Sequence, residues 1–308
     1  SASGSNGGET QMSFSASGLL LASLLYLILL FGIAWSTERG TLLRQWVRHP
    51  LVYTLSLGVY AGIWAVYGAI GMAAESGYGF LAYYLGISGA FLLAPVLLNP
   101  ILRIGRAYQL TSLADLFAYR YRSQWAGTLV TLCSAAAILA LLSMQIQAVA
   151  VSASLLAPDT SPKAISVMFS LIVVLFTMLF GARRHQSSGN HQGLVLAIAF
   201  DSLVKVVALL VLGGVVLFGV FGGTDGLEEW LAQASHPEAT MTMAINDGSW
   251  RALLLMSFAA ALVLPHMYHM TFSENPSPRA LAKASWGLPL YLLLLGLPVP
   301  LIVWAGQA

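Results

Sequence analysis

Eight long apolar stretches, separated by short polar segments, run along the chain. A membrane-spanning helix needs ~20 consecutive apolar residues, and each stretch is close to or above that length. The stretches cover residues 14–35, 50–74, 79–102, 124–157, 163–181, 191–222, 249–272 and 284–306. This pattern predicts an all-α polytopic membrane protein with eight membrane helices in one domain over residues 12–308. Residues 1–11 are rich in Gly and Ser, and we expect a disordered tag or linker remnant there.

The composition supports a membrane protein. Hydrophobic residues make up 58% of the chain and charged residues only 8%, with a mean hydropathy of +0.78. A soluble globular domain carries roughly 25% charged residues, so the sequence leaves no room for a large soluble domain. The single cysteine, Cys133, excludes a disulfide within the chain.

Basic residues are concentrated in alternate loops. The loops after the first, third, fifth and seventh stretches hold nearly all of them: Arg39, Arg44, Arg48, Arg103, Arg106, Arg120, Arg122, Arg183, Arg184, Arg279 and Lys283. The other loops hold only Lys163 and Arg251, and the loop 223–248 is acidic. Because cytoplasmic loops carry the excess of Lys and Arg, we expect both ends of the chain to be external.

Two loops contain short amphipathic segments. Residues 103–123 combine an apolar face with basic side chains, which predicts a short interfacial helix on the cytoplasmic surface. We expect Asp115 to shape that loop together with Arg120 and Arg122 rather than to bind a ligand. In the external loop 223–248, the segment around Leu227 to Leu231 predicts a second short helix.

The end of the seventh stretch, VLPHMYHMTFSEN over residues 263–275, is unusually polar for a membrane segment. Polar side chains inside a bilayer are costly and mark a pathway or a binding site. A proline removes a backbone donor, which is tolerated where the freed groups line a cavity. A broken helix that carries such side chains is typical of the solute sites of secondary transporters.

Five segments resemble, in the same order, the sodium/solute symporter family. They are SLGVYAGIWAVYGAIGMAAESGYGF, QLTSLADLFAYRY, SMQIQAVA, AFDSLVK and LPHMYHMTF. The resemblance implies a partial LeuT-like inverted-repeat fold, with the extra N-terminal helix and core helices one to seven. It also implies that the second apolar stretch is unwound between Tyr60 and Trp64.

A closer resemblance is to the membrane domain of CbrA-type sensor histidine kinases. Three segments carry it: GYGFLAYYLGISGAFLLAPVLLNPILRI, YQLTSLADLFAYRYRSQWAGTL and PHMYHMTFSENPSPRALAKASWGLPL. It implies uptake or sensing of L-histidine in the bacterial inner membrane, linked in the parent protein to a two-component sensor kinase. Because the last core helices and the kinase modules have no counterpart in the sequence, we expect a fragment of a longer protein.

Polarity and the resemblance together indicate eight candidate solute-binding residues. They are Tyr60, Trp64, Tyr67, Gln145, Gln147, His266, Tyr268 and His269. His266 matches the family position that contacts the solute and is the first choice. Trp64 and Tyr67 can equally be packing or interfacial aromatics, and the two glutamines can equally form interhelical hydrogen bonds.

His266 and His269 are three residues apart, which places them on one face of an α-helix. We count no carboxylate or cysteine as their neighbour, so they would make a poor zinc site and no metal is expected. Hydrogen bonding to a solute and proton handling are the favoured roles, since histidine titrates near neutrality. Interior histidines satisfied by neighbouring groups are the alternative.

Asp201 and Lys205 are charged residues four positions apart in the sixth stretch. Such a pair can simply neutralise itself inside the membrane. The resemblance instead places Asp201 on an ion or proton path, to which the unwound backbone at Ala61 would contribute, with Na⁺ or H⁺ as the coupling ion. The family's sodium site also takes hydroxyls from the eighth core helix, so we do not expect a complete site of that type here.

Two function classes remain after these arguments. The first is a domain that transports or senses a small amino acid-like solute, and the second is a non-transporting scaffold or signalling module of the kinase. No nucleophile–base set or carboxylate pair indicates an enzyme, and the basic residues follow the positive-inside rule rather than forming a nucleic-acid surface. The expected partners are the solute, the lipid bilayer, and either missing parts of the parent chain or a homo-oligomer.

Overall fold

The computed structural model describes residues 16–40, 49–156, 161–181, 192–233 and 248–308, and within these ranges all regular secondary structure is helical. The α-helices are α1 Ala16–Glu38, α2 Pro50–Ser56, α3 Ala69–Ser76, α4 Leu81–Leu92, α5 Leu98–Ala107, α6 Leu113–Tyr121, α7 Gln124–Leu156, α8 Pro162–Gly181, α9 Gln192–Gly219, α10 Thr224–Gln233, α11 Gly248–Val263, α12 Pro265–Tyr268, α13 Pro278–Gly296 and α14 Pro298–Ala305. Two 3₁₀ turns, Leu57–Tyr60 and Gly77–Phe80, and two π turns, Trp64–Gly68 and His269–Ser273, join some of them. The predicted all-α class is confirmed.

Several described helices have the length and composition of membrane spans. Four of them qualify alone: Leu21–Glu38, Gln124–Leu156, Gln192–Gly219 and Pro278–Ala305. Two bent helix pairs raise the number to six, and Pro162–Leu175 is a shorter apolar helix. The protein is therefore a multi-pass membrane protein.

The count of eight spans and the orientation of the chain stay predictions. Some of the basic residues used for the orientation, together with the tag expected at residues 1–11, lie outside the described residues. These basic residues are Arg44, Arg48, Arg183 and Arg184.

The chain forms two compact units. The first comprises Ser1–Leu29 and Leu142–Gln186, and it holds the beginning of α1, the end of α7 and the whole of α8. The second comprises Leu30–Leu141 and Ser187–Ala308. The second unit contains both broken apolar stretches, residues 50–74 and 249–272.

Small residues allow the helices of the second unit to pack closely. Helix α4 lies against α11 and α13, and α2 lies against α9 and α13. A Cβ placed on Gly86 of α4 would lie 2.4 Å from the carbonyl oxygen of Leu254 in α11. Backbones that approach this closely gain dispersion contacts, which are the main attraction between helices in a membrane. Gly86 is therefore required by the packing of α4 on α11.

The two predicted short helices are present as α6 and α10. Helix α6 begins with a capping box: the Ser112 hydroxyl accepts from the Asp115 amide at 3.1 Å, and the Asp115 carboxylate accepts from the Ser112 amide at 3.0 Å. Burial acts to raise the pKa of Asp115, but hydrogen bonds from Ser112 and Thr111 outweigh it and hold this pKa below its usual value. Asp115 shapes the loop, as predicted.

Candidate functional site

The second apolar stretch is broken at the position that the sequence indicates. After the 3₁₀ turn Leu57–Tyr60, the chain leaves helical geometry at Ala61 and Gly62 and then resumes as the π turn Trp64–Gly68. The helices on either side of this first break form an angle of 66°. Gly62 lowers the cost of departing from a helix, because glycine tolerates many backbone conformations.

Tyrosines of α4 satisfy two of the carbonyl groups near the first break. The Tyr83 hydroxyl donates to the Tyr60 carbonyl at 2.9 Å, and the Tyr60 hydroxyl donates in return to the Tyr83 carbonyl at 3.1 Å. The two rings stack with centroids 4.6 Å apart. The hydroxyl of Tyr84 donates to the carbonyl of Ala65. The side chain of Tyr60 is thus hydrogen-bonded to α4. Sequence reasoning did not identify Tyr83 and Tyr84 as the residues that satisfy carbonyl groups of the first break.

A lysine from α9 satisfies a third carbonyl of the first break. The ammonium of Lys205 donates to the Ala61 carbonyl at 3.1 Å and lies 2.6 Å from the Asp201 carboxylate. Asp201 and Lys205 therefore form the ion pair that their spacing predicts, and the ion or proton path through Asp201 stays a prediction. The Lys205 ammonium thus contacts both residues of the predicted ion path, the carbonyl of Ala61 and the carboxylate of Asp201.

The seventh apolar stretch is broken as well, at Leu264. This residue has an extended backbone with ψ of 121°, and Pro265 then begins the short helix α12. The helices on either side of this second break form an angle of 52°. Helix α12 packs against the 3₁₀ turn Leu57–Tyr60. The two breaks therefore lie next to each other in the second unit.

Residues of the second break present polar groups without protein partners. His266 is half-buried, and its imidazole makes no hydrogen bond to any residue of the described part of the chain. The hydroxyls of Tyr268 and Thr271 are buried and also lack a hydrogen-bond partner among the described residues. A buried polar group without a partner costs about 1–3 kcal/mol, so such groups are unusual unless water or a ligand satisfies them.

His269 differs from His266 because it has a carboxylate partner. Its Nε2 lies 3.1 Å from Oε1 of Glu274, whose side chain is almost fully buried. The expectation that no carboxylate neighbours the two histidines is wrong for His269. The physical reason is the π turn His269–Ser273, in which residues five apart lie above each other.

A polar cluster adjoins the second break, and sequence reasoning missed it. We call Tyr53, Arg106, Thr271 and Asn275 the Asn275 cluster. Arg106 donates through Nη2 to the backbone oxygen of Asn275 at 2.7 Å and to its Oδ1 at 3.0 Å. Nδ2 of Asn275 donates to the Tyr53 hydroxyl at 2.8 Å, and this hydroxyl donates to the Thr271 carbonyl at 2.9 Å. The cluster ties the π turn of the second break to α2 and α5.

The remaining candidate residues lie in other surroundings. Trp64 and Tyr67, on the π turn of the first break, are 41% and 45% exposed. Gln145 and Gln147 belong to the end of α7 in the first unit, where Gln145 is half-buried and Gln147 exposed. Solute binding by these four residues stays a prediction.

Comparison of the sequence with known proteins gives a distant relative. Over 295 aligned residues the chain is 23% identical to the uncharacterized symporter YhjB of Bacillus subtilis (strain 168). The chain is distantly similar to a symporter. The match covers 91% of this chain and 57% of that protein, so the chain spans little more than half of its relative's length. No protein-family model and no solved structure matches the chain.

Proposed function

We propose that the chain is the solute-binding part of a secondary transporter-like membrane protein, with L-histidine as its solute. The observation that carries this proposal is the position of His266. It lies at the second break, which packs against the first, and its imidazole makes no hydrogen bond within the described residues. Secondary transporters bind their solutes where discontinuous helices meet. The distant similarity to a symporter supports the same function class.

The identity of the solute rests on the family resemblance and on the chemistry of the second break. An imidazole and two hydroxyls, those of His266, Tyr268 and Thr271, can donate to and accept from an amino acid. Binding drives a conformational change only if the solute has a higher affinity for one of two states. We propose that the two half-helices at each break carry this change.

The test is binding of radiolabelled L-histidine to the purified chain, with D-histidine and L-proline as competitors. We expect saturable, stereoselective binding that is weakened roughly tenfold by His266→Ala, since losing one hydrogen bond to a polar ligand costs about 1.4 kcal/mol. The matched control is His49→Asn. His49 caps α2 through its Nδ1, and asparagine retains a capping side chain outside both breaks. Equal competition by all three amino acids would contradict the proposal.

We further propose, from the resemblance alone, that this domain in its parent protein regulates a two-component sensor kinase in the bacterial inner membrane. Solute binding at the second break would then favour one state of the kinase. Undiminished kinase regulation in a parent protein carrying His266→Ala would favour the alternative, a membrane scaffold that does not bind the solute.

A further inference from the structure

The first break contains a cation that belongs to the protein itself. Ala61 is fully buried, and its backbone (φ −79°, ψ 64°) is not helical. The amide of Ala65, which would bond to the Ala61 carbonyl in an α-helix, bonds instead to the Gly62 carbonyl at 3.0 Å. The Ala61 carbonyl therefore lacks its helical hydrogen-bond donor, and the Lys205 ammonium donates to it instead at 3.1 Å.

A carboxylate completes the surroundings of this ammonium. Asp201 lies one helical turn before Lys205 and approaches Nζ to 2.6 Å. Both side chains are mostly buried, with exposed fractions of 27% and 29%. A carboxylate oxygen and an unwound backbone carbonyl are also the ligands that transporters use for Na⁺, because they replace the oxygen atoms of its hydration shell.

A second side chain of α9, Ser202, packs tightly against the segment that precedes the first break. The Ser202 hydroxyl is fully buried and has no hydrogen-bond partner among the described residues. It faces Gly58, three residues before Ala61 on the same broken helix, where an added Cβ would lie 2.5 Å from the hydroxyl oxygen. Helix α9 therefore packs closely on the segment before the first break, and it carries the Lys205 ammonium, with its Asp201 partner, to the Ala61 carbonyl.

We propose that the Lys205 ammonium takes the position of a free monovalent cation at the first break, so that this site binds no Na⁺ while the lysine is present. Lysine carries a compact charge on a flexible stem, and its three donors can bridge a carbonyl and a carboxylate. Without the ammonium, the Ala61 carbonyl and the Asp201 carboxylate form an anionic, oxygen-lined site. The variant Lys205→Ala should therefore bind Na⁺ where the natural chain does not.

The experiment measures thermal unfolding of the full purified chain in detergent, without solute, in NaCl and in N-methyl-D-glucamine chloride of equal ionic strength. We expect the natural chain to have the same midpoint in both salts. Lys205→Ala should unfold at a lower temperature in N-methyl-D-glucamine chloride. Its midpoint should rise with the logarithm of the Na⁺ concentration, as it does for a ligand that binds only the folded state.

Four further variants make the experiment decisive. Lys205→Arg retains a cation and should remain insensitive to Na⁺, and adding Asp201→Asn to Lys205→Ala should abolish the Na⁺ response. Lys283→Ala removes an exposed lysine of α13 and should change neither midpoint nor salt response. If Lys205→Ala does not fold, Lys205→Ser takes its place, since the serine hydroxyl adds an oxygen ligand. Sodium-dependent stabilisation of the natural chain, or no Na⁺ response in either neutral variant, would overturn the proposal.

Because this measurement uses Na⁺ alone, its result is independent of solute binding at His266. A sodium response in Lys205→Ala together with no L-histidine binding would support the cation assignment and contradict the proposed solute. The reverse combination would contradict only the cation assignment.

Discussion

The two helix breaks differ in how their polar groups are satisfied. At the first break, α4 and α9 supply donors to the carbonyl groups of Tyr60, Ala61 and Ala65. At the second break, the imidazole of His266 makes no hydrogen bond within the described residues, and two buried hydroxyls lack partners there. The first break is thus held by protein side chains, whereas the second has polar groups that no described residue satisfies. A pair of adjacent breaks need not share one role.

The largest effect is expected from a change that disturbs both breaks together. Gly86 lies where α4, which caps the first break, meets α11, which leads to the second. In Gly86→Ala the new Cβ would meet the Leu254 backbone at 2.4 Å, so we expect a loss of about 3 kcal/mol of stability and weaker L-histidine binding. Thermal unfolding in detergent measures the loss.

The matched control for that change lies one turn away on the same helix. A Cβ on Gly89 would have its nearest contact at 3.6 Å, from the Phe258 ring, which is an ordinary distance. Gly89→Ala should therefore leave the midpoint unchanged or raise it, since alanine favours a helix more than glycine does. Similar losses of stability in the two variants would show that the close approach of α4 to α11 does not determine the effect of Gly86→Ala.

An intermediate effect is expected at the second break alone. Asn275→Ala removes the Oδ1 atom that accepts from Arg106 and the Nδ2 atom that donates to Tyr53. We expect the free energy of unfolding to fall by about 2 kcal/mol. Amide hydrogen exchange should become faster at residues 269–275 and remain unchanged at residues 57–62. Asn99→Ala is the control, because the Asn99 side-chain oxygen has no partner within the described residues. Faster amide exchange at both breaks would contradict the conclusion that the two breaks are stabilised by different contacts.

The smallest effect is expected at the first break alone. Tyr83→Phe removes one of two donors to the Tyr60 carbonyl, the other being the Gly62 amide, so we expect a loss of about 1 kcal/mol. Exchange should become faster at residues 60–62, and L-histidine binding should be unchanged. Tyr78→Phe serves as the control, since the Tyr78 hydroxyl has no hydrogen bond in the described part of the chain. Weaker solute binding in Tyr83→Phe would mean that the first break contributes to the solute site.

Features with a local cause could be predicted from the sequence. Pro265 lacks a backbone donor and so indicates the second break locally, whereas the first break followed from the family resemblance, with Gly62 only lowering the cost of leaving helical geometry. Asp201 and Lys205 are one turn apart, which brings their charges together in any α-helix. The His269–Glu274 pair is also local, yet it was missed, because residues five apart diverge on an α-helix and coincide only on a π turn.

Features that depend on packing could not be predicted in this way. Lys205 reaches Ala61 across 144 residues of sequence, and Asn275 reaches Tyr53 across 222. Nothing in the sequence near either partner distinguishes a lysine that points at a broken helix from one that points elsewhere. Such contacts follow from which helices pack together and at what angle, and apolar patterning specifies neither.

Each break is followed within a few residues by a π turn, Trp64–Gly68 after the first and His269–Ser273 after helix α12 of the second. A π turn bonds each amide to the carbonyl five residues earlier and so stores one residue more than an α turn. Returning that residue to α geometry lengthens the half-helix by about 1.5 Å and rotates the segment beyond it by about 100°. A change between π and α geometry at either turn would therefore alter the length of the half-helix by a whole residue and not by a continuous amount.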